Sequence, residues 1–395
     1  MKILFISVCS YPYVTDYGYQ DNGFCNAASQ MGDEVVELTT SYIPSFLSAF
    51  IVPDRDFTKT VSIDKYGVKI IRVKYKLPFF GSKINSRLRI YKGIYSVLEK
   101  EKPNIIFVHD LQTWSLFDIA KYLRRHPKCV GLCDIHSTYE NTAHNFISKY
   151  LLGRIVYRFI VKRNISAFRH VFYISHDIKR FMRNEYHVVL NDKNSSFLPL
   201  GDLTEDESRH DICRKKVLGE LGLPDDAIIL IHSGKLVKQK RTSELIEAFK
   251  TVDNPNMYLL IVGKIPDENK SCEQLIESDK RIKYLGWKTA SELKEYIIAS
   301  DLYVQPGTAS STLNTAICCG CPVMLSPIRD ASYRYYLDKK KVFFADSVDS
   351  MKRVLKKISD NPCVLNKYRE YSRWYADTLL DYRKQIEMIK SYKNG

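Results

Sequence analysis

No stretch of the 395-residue sequence is apolar enough to cross a bilayer, because the longest apolar run, residues 42–53, contains Pro44 and falls well short of the roughly 20 residues a spanning helix needs. The run from Ile3 to Val8 is too short for a signal peptide and lacks a small-residue cleavage site, so it reads as a first strand. Any membrane contact is expected to be peripheral, from the cytoplasm. No GxGxxG follows a strand, which disfavours a dinucleotide oxidoreductase, and no GxxxxGK[ST] is present, which disfavours a P-loop NTPase. There are ten cysteines, but beside Cys318, Cys319 and Cys321 no second Cys pair or Cys/His pair has zinc-ligand spacing. The triplet therefore reads as core packing, no metal site is expected, and the thiols read as reduced. Short-period repeats and low-complexity tracts are absent too.

Acid is in short supply. Against 60 Lys and Arg stand 45 Asp and Glu, a net charge of +15 that points to anionic partners. The first 200 residues hold 28 basic and 17 acidic side chains; the rest hold 32 and 28, so the imbalance lies mainly in the first half. An apolar fraction of 45% with 27% charged residues suits a globular chain and excludes a mainly disordered or fibrous one.

Short β-branched or aromatic runs at residues 2–8, 34–39, 69–74, 105–108, 129–135 and 170–174 alternate with amphipathic segments. Near-continuous apolar strands separated by helices indicate a parallel sheet covered on both faces. A polar stretch, residues 202–216, reads as the connection to a second α/β domain, whose strands are expected at 227–232, 258–262, 282–285, 302–305, 322–326 and 342–345. The expected organisation is residues 1–203, residues 204–361 and a helical segment 362–395 packing back on the first domain. The fold class is α/β, with two Rossmann-like doubly wound domains whose strand carboxyl ends face each other across a cleft.

Two segments carry chemistry. In GKLVKQK, Gly234 to Lys240, a strand ends and two lysines follow before a helix. Lys235 and Lys240 can converge on one anion, each contributing up to roughly 4 kcal/mol at an effective dielectric of 20; the same spacing also suits a solvated basic loop. In the second segment, residues 300–324, Pro306 and Gly307 close a strand, Ser310 or Ser311 is expected to cap a helix, and Gly320 with Pro322 ends it. The N–H groups at such a helix start bind anions, though an ordinary capped connection looks the same.

GKLVKQK before a helix, IVGK at Ile261 to Lys264, YLGW at Tyr284 to Trp287 and the order strand, Pro-Gly, helix, CGCPV resemble the donor half of the retaining glycosyltransferases of family 4, which have the GT-B fold. MKILFIS, GDEV, FVHD, CDIHS, YISHD and FLPLG agree in the first half. The resemblance implies transfer of a sugar, with retention, from a nucleotide diphosphate sugar to a glycan or lipid-linked acceptor in surface polysaccharide synthesis. It places Lys235 and Lys240 on the leaving diphosphate and His136 near the donor sugar. Gly234, Gly263, Gly286, Gly307, Thr308, Ser310, Ser311 and Thr312 are then expected around the nucleotide, with no metal or other cofactor. His136 also reads as a capped loop histidine, and His109 with Asp110 is a weaker candidate.

One departure matters. Counted back from CGCPV, the family's two glutamates fall on Gly307 and Thr315, and neither is acidic. Thr308, Ser310, Ser311, Thr312 and Asn314 offer only neutral hydrogen bonds there. Altered donor choice, a non-catalytic scaffold or binding protein, and a nucleotide-sugar epimerase are the alternatives. Asp54-Arg55-Asp56 has the look of a metal-binding pair but lacks a βαβ setting and reads as a surface turn.

Basic residues gather in two places. Arg72, Lys74, Lys76, Lys83, Arg87, Arg89 and Lys92 surround residues 77–80, and Lys149, Arg154, Arg158, Lys162 and Arg163 alternate with Tyr150, Leu151, Ile155, Phe159 and Ile160. The second set has helical spacing and suits either an anionic membrane surface or a core-facing helix with a basic edge. Nucleic acid is disfavoured as a partner because no recognised module is present.

Overall fold

Strands that bury both faces need helices on both sides, and the chain alternates the two throughout. The computed structural model describes residues 1–9, 12–43, 57–76, 87–139, 147–308, 310–327, 333 and 336–394. Much of the apolar run 42–53, Asp54-Arg55-Asp56, residues 77–80 and Lys83 lie outside them, as do the side chains of Lys149, Tyr150 and Leu151. The chain divides into two compact units, Met1–Pro199 with Gln385–Gly395, and Leu200–Lys384.

The first unit holds β1 (Lys2–Ser7), β2 (Glu34–Thr40), β3 (Val61–Ile63), β4 (Lys69–Val73), β5 (Ile105–His109), β6 (Val130–Ile135), β7 (His170–Tyr173) and β8 (Ser195–Phe197). They form one sheet in the order β3-β4-β2-β1-β5-β6-β7-β8, parallel except where β3 meets β4. The three-residue edge strands β3 and β8 escape the sequence pattern because they are too short to show a period. Strand order reverses at β1, between β2 and β5, and a doubly wound sheet opens for ligands at the strand carboxyl ends beside such a reversal. Helix α1 (Gln20–Gln30) lies after β1, and α2 (Leu116–Arg125) packs on α3 (Arg158–Asn164).

The second unit holds β9 (Ile228–Ser233), β10 (Met257–Val262), β11 (Ile282–Gly286), β12 (Leu302–Gln305), β13 (Val323–Leu325) and β14 (Phe343–Phe344), all parallel in the order β11-β10-β9-β12-β13-β14. Its strands divide their side chains between two cores. Leu230, Leu259, Ile261 and Val304 face Leu245 and Phe249, while Ile229, Ile231, Leu260 and Tyr303 face Ile297, Leu313 and Ile317. Two buried faces explain the continuous apolar runs. Cys318 and Cys321 are buried in the second of these cores.

Two boundaries differ from the sequence reading. The polar stretch 202–216 is not a linker throughout, because from Ser208 it forms α4 (Ser208–Leu221), whose Cys213, Val217 and Leu218 enter the core at helical spacing. The segment after Pro362 is shared between the units, through Lys384 with the second and from Gln385 with the first. There Gln385 donates to the Pro199 carbonyl, and Lys390 pairs with Asp33 at 2.6 Å, beside the amino terminus, which reaches the same carboxylate at 2.7 Å.

Candidate functional site

In the second unit the loops after β9, β10 and β12 meet at backbone level. Gly234 N–H donates to Val262 O and Gly263 N–H to Gly286 O, while Thr308 N–H reaches Gln239 O at 3.0 Å. A Cβ on Gly263, whose φ is +141°, would sit 1.8 Å from Gly234 O, and one on Gly307 would sit 2.0 Å from Gln239 O. No side chain fits at either position, so glycine lets the three loops close on one another. Gly286 has a positive φ but open space around it.

Lys240 ends the single turn before α5 (Thr242–Lys250) and is buried. Its ammonium donates to Thr308 O at 2.9 Å and lies 3.9 Å from the place a Cβ would take on Gly234. Burial pushes this ammonium down to about 8. Lys235, exposed, is the next residue after Gly234, so both lysines arise at the β9 loop. Beneath them His232 is fully buried, donating from Nδ1 to Val304 O and accepting at Nε2 from the Thr242 hydroxyl; burial lowers it to about 4, so it stays neutral. Arg241, which the sequence reading missed, ties the loop to Pro306 O and Asp346 O.

After β12, Thr308 is exposed, and the Ser310 and Thr312 hydroxyls pair at 3.1 Å at the start of α7 (Thr312–Cys318), which follows α6 (Ala290–Ile298) in the chain. The expected cap is absent: Ser311 occupies the N-cap position with helical dihedrals, and its side chain accepts no capping bond. Gln305, buried at the end of β12, has neither amide atom paired.

The first unit places His136 just beyond β6. Its Nε2 lies 3.1 Å from Asp134 Oδ2, and the other oxygen of this buried carboxylate lies 3.1 Å from Nδ1 of His109. Asp21, on α1, approaches the same His109 nitrogen at 3.1 Å. The sequence held a partial signal for this group: Asp134 and His136 are two apart and so share a strand face. Nothing local linked Asp21 to His109. The ligating atoms of His109, Asp134 and His136 all lie within 4.8 Å of one another, the one group among the described residues with the donors to hold a metal ion. Burial opposes charge on His109, but Asp134 and Asp21 outweigh it and raise the ring to about 10.

Beside this group Glu37 is fully buried, accepting from the Ser7 hydroxyl and from the Cys25 thiol, and burial with the nearby Asp21 charge pushes it up to about 8. A carboxyl whose folded value is raised stabilises the fold at low pH, and that contribution is lost as pH rises through about 8. Glu37→Gln should therefore gain stability relative to the parent chain by a few kcal/mol between about pH 5 and pH 9. Denaturant melts across that range check it, and a pH-independent difference would show that Glu37 is not buried as an acid.

The family model for Glycosyl transferases group 1 matches residues 214–375, and that for Glycosyltransferase Family 4 matches residues 24–193. The chain belongs to the group 1, family 4-like glycosyltransferases. The chain is 26% identical over 154 residues to the alpha-monoglucosyldiacylglycerol synthase of Acholeplasma laidlawii, covering 37% of this chain and 38% of that protein. It is 34% identical over 88 residues to the lipopolysaccharide core biosynthesis glycosyltransferase LpsD of Rhizobium meliloti, covering 22% and 24%. The matches thus span well under half of these relatives. Over 99% of this chain and 100% of the other, the structure resembles Anabaena Alr3699/HepE in complex with UDP, with a TM-score of 0.65 at 14% identity. The fold is GT-B, built from two Rossmann-like units. Where the resemblance places the first glutamate, the backbone of Gly307 lies against Gln239, leaving no room for a side chain, whereas Thr315, at the second, is half-buried on α7.

Proposed function

We propose that the protein transfers a sugar, with retention, from a nucleotide diphosphate sugar to a glycan or lipid-linked acceptor in surface glycan or glycolipid synthesis, at the cytoplasmic face of the membrane. The observation that carries this reading is the buried Lys240 ammonium among the glycine-closed loops at the carboxyl ends of β9 and β12. A cation there suits a diphosphate, and the UDP bound by Alr3699/HepE supports a nucleotide donor. In the proposed reaction the bond from the anomeric carbon to the β-phosphate oxygen breaks while the acceptor oxygen bonds on the same face. The acceptor proton passes to the departing phosphate, whose charge Lys235 and Lys240 stabilise. His136 takes the hydrogen-bonding role toward the sugar that the family resemblance implies. No metal is needed for this charge stabilisation.

A panel of UDP-, GDP- and TDP-sugars, scored for binding and for nucleotide release with and without membrane extract, tests the proposal. Binding without turnover by any donor would favour the second reading, a GT-B scaffold, which the absent glutamates at Gly307 and Thr315 motivate. Turnover without an acceptor, giving an altered sugar, would favour an epimerase.

The acceptor side is proposed to touch an anionic membrane. No helix among the described residues is long and apolar enough to cross one. On the first unit the rings of Trp114, Phe117 and Phe159 form a chain of contacts at 5.4 and 6.1 Å, and Trp114, Ile155 and Phe159 are exposed. Exposed Lys121, Lys162 and Arg163 lie on the same pair of helices, α2 and α3. The basic set expected from the sequence is split, because Arg154 pairs with Glu185 and Arg158 donates to the Glu185 carbonyl, while Ile160 is in the core. Replacing Lys162 and Arg163 together with alanine should weaken binding to phosphatidylglycerol vesicles about thirtyfold, at about 1 kcal/mol per charge. Unchanged co-sedimentation would leave these helices as ordinary packing.

A further inference from the structure

The buried Asp134 carboxylate spans two imidazoles. One oxygen faces His109 Nδ1 and the other His136 Nε2, both at 3.1 Å, and the two rings lie 4.1 Å apart at 45°. Three elements deliver these groups: β5 ends in His109, β6 carries Asp134 toward its end with His136 just beyond, and α1 brings Asp21 to the same nitrogen of His109 that faces Asp134. The remaining acids nearby are otherwise engaged. Glu37, on β2, takes the Ser7 hydroxyl and the Cys25 thiol, and Asp110, just after β5, takes the Leu111 N–H and the Ser137 hydroxyl.

Nδ1 of His109 has two carboxylate oxygens at 3.1 Å, one from Asp134 and one from Asp21, and Asp134 turns its remaining oxygen to His136. An ionised carboxylate can only accept hydrogen bonds, so the ring nitrogen facing it must bear the hydrogen. We infer that Asp134, with His109 as its counter-ion, is the positioning residue of His136, fixing the ring with hydrogen on Nε2 so that Nδ1 is the accepting nitrogen. This deepens the reading of His136 as a sugar contact and rests on it. A His136 held in this way accepts from a hydroxyl of the transferred sugar, so it favours a donor bearing that hydroxyl over a deoxy analogue. A side chain that sets the tautomer and orientation of a histidine through its far nitrogen acts without touching the ligand.

The test is the tautomer itself, read on the full chain labelled with 15N-histidine by long-range proton–nitrogen correlation at neutral pH. The expected spectrum shows His136 with hydrogen on Nε2 and a bare Nδ1, and His109 with hydrogen on both nitrogens. In Asp134→Asn the opposite His136 tautomer should appear, and kcat should fall about tenfold with KM changed by less than roughly threefold, the scale of one lost hydrogen bond. A parent chain carrying hydrogen on Nδ1 of His136 would overturn the inference whether or not the variant folds. So would a folded Asp134→Asn with an unchanged His136 spectrum. Zn2+ taken up at stoichiometric concentration with perturbation of both rings would assign the group to a metal and overturn it as well. If no donor is turned over, the transferase reading fails while the spectrum still decides this one.

Discussion

Lys240→Ala should weaken UDP binding about a hundredfold, close to 3 kcal/mol, and remove sugar transfer, while the folded state persists. The ammonium is buried, so its attraction for a phosphate is poorly screened and its loss is costly to the complex. Folding is affected less, because desolvation of that cation already opposes the folded state and lowers its pKa to about 8. Truncation removes the penalty along with the bond to Thr308 O. The same lysine gives the parent chain a pH signature. UDP binds the protonated form, so affinity should fall about tenfold between about pH 7 and pH 9 as the free enzyme loses that proton. In Lys240→Ala the slope should vanish. Isothermal titration across this range measures both, and parent-like affinity in the variant would remove the diphosphate from this loop.

Gly307→Glu should break the second unit rather than restore the missing family carboxylate. The new Cβ would lie 2.0 Å from Gln239 O and 2.6 Å from the Lys240 carbonyl carbon, both backbone atoms that no rotamer change can move. The loop carrying Lys240 must shift, with an expected loss of about 3 kcal/mol or more and a fall in Tm of roughly 10 °C. Thr315→Glu is the control. Position 315 is half-buried on a helix and already carries a side chain, so that variant should melt close to the parent. If the ribose contact implied by the family holds, it should also bind UDP more tightly. A Gly307→Glu protein that melts like its parent would show that the loops do not close as described.

These two positions show what local pattern conveys. The strand ending at Ser233, the lysines after it and the Pro-Gly turn after Gln305 are visible in order along the chain, because burial on both faces and turn chemistry act within a few residues. That Gly307 abuts Gln239 is invisible, since the two belong to loops after different strands and meet only through the sheet order. The caps expected from Ser310 and Ser311 fail for a similar reason: the Ser310 hydroxyl turns to Thr312, and Ser311 has helical dihedrals. Helical spacing marked the basic set around Arg154 and Arg158 but held no sign that Glu185 would occupy both.

By itself the sequence determined two doubly wound α/β layers, with chemistry gathered where strands end, because the repeat of apolar strand and amphipathic helix is a local property of the chain. Only the tertiary structure decided which groups meet at those ends. Asp134 between His109 and His136, Asp21 at the same His109 nitrogen, and three loops closing beside Lys240 depend on register across neighbouring strands and on backbone approach. Residues far apart in sequence come within about 3 Å through packing alone, and no periodicity encodes that.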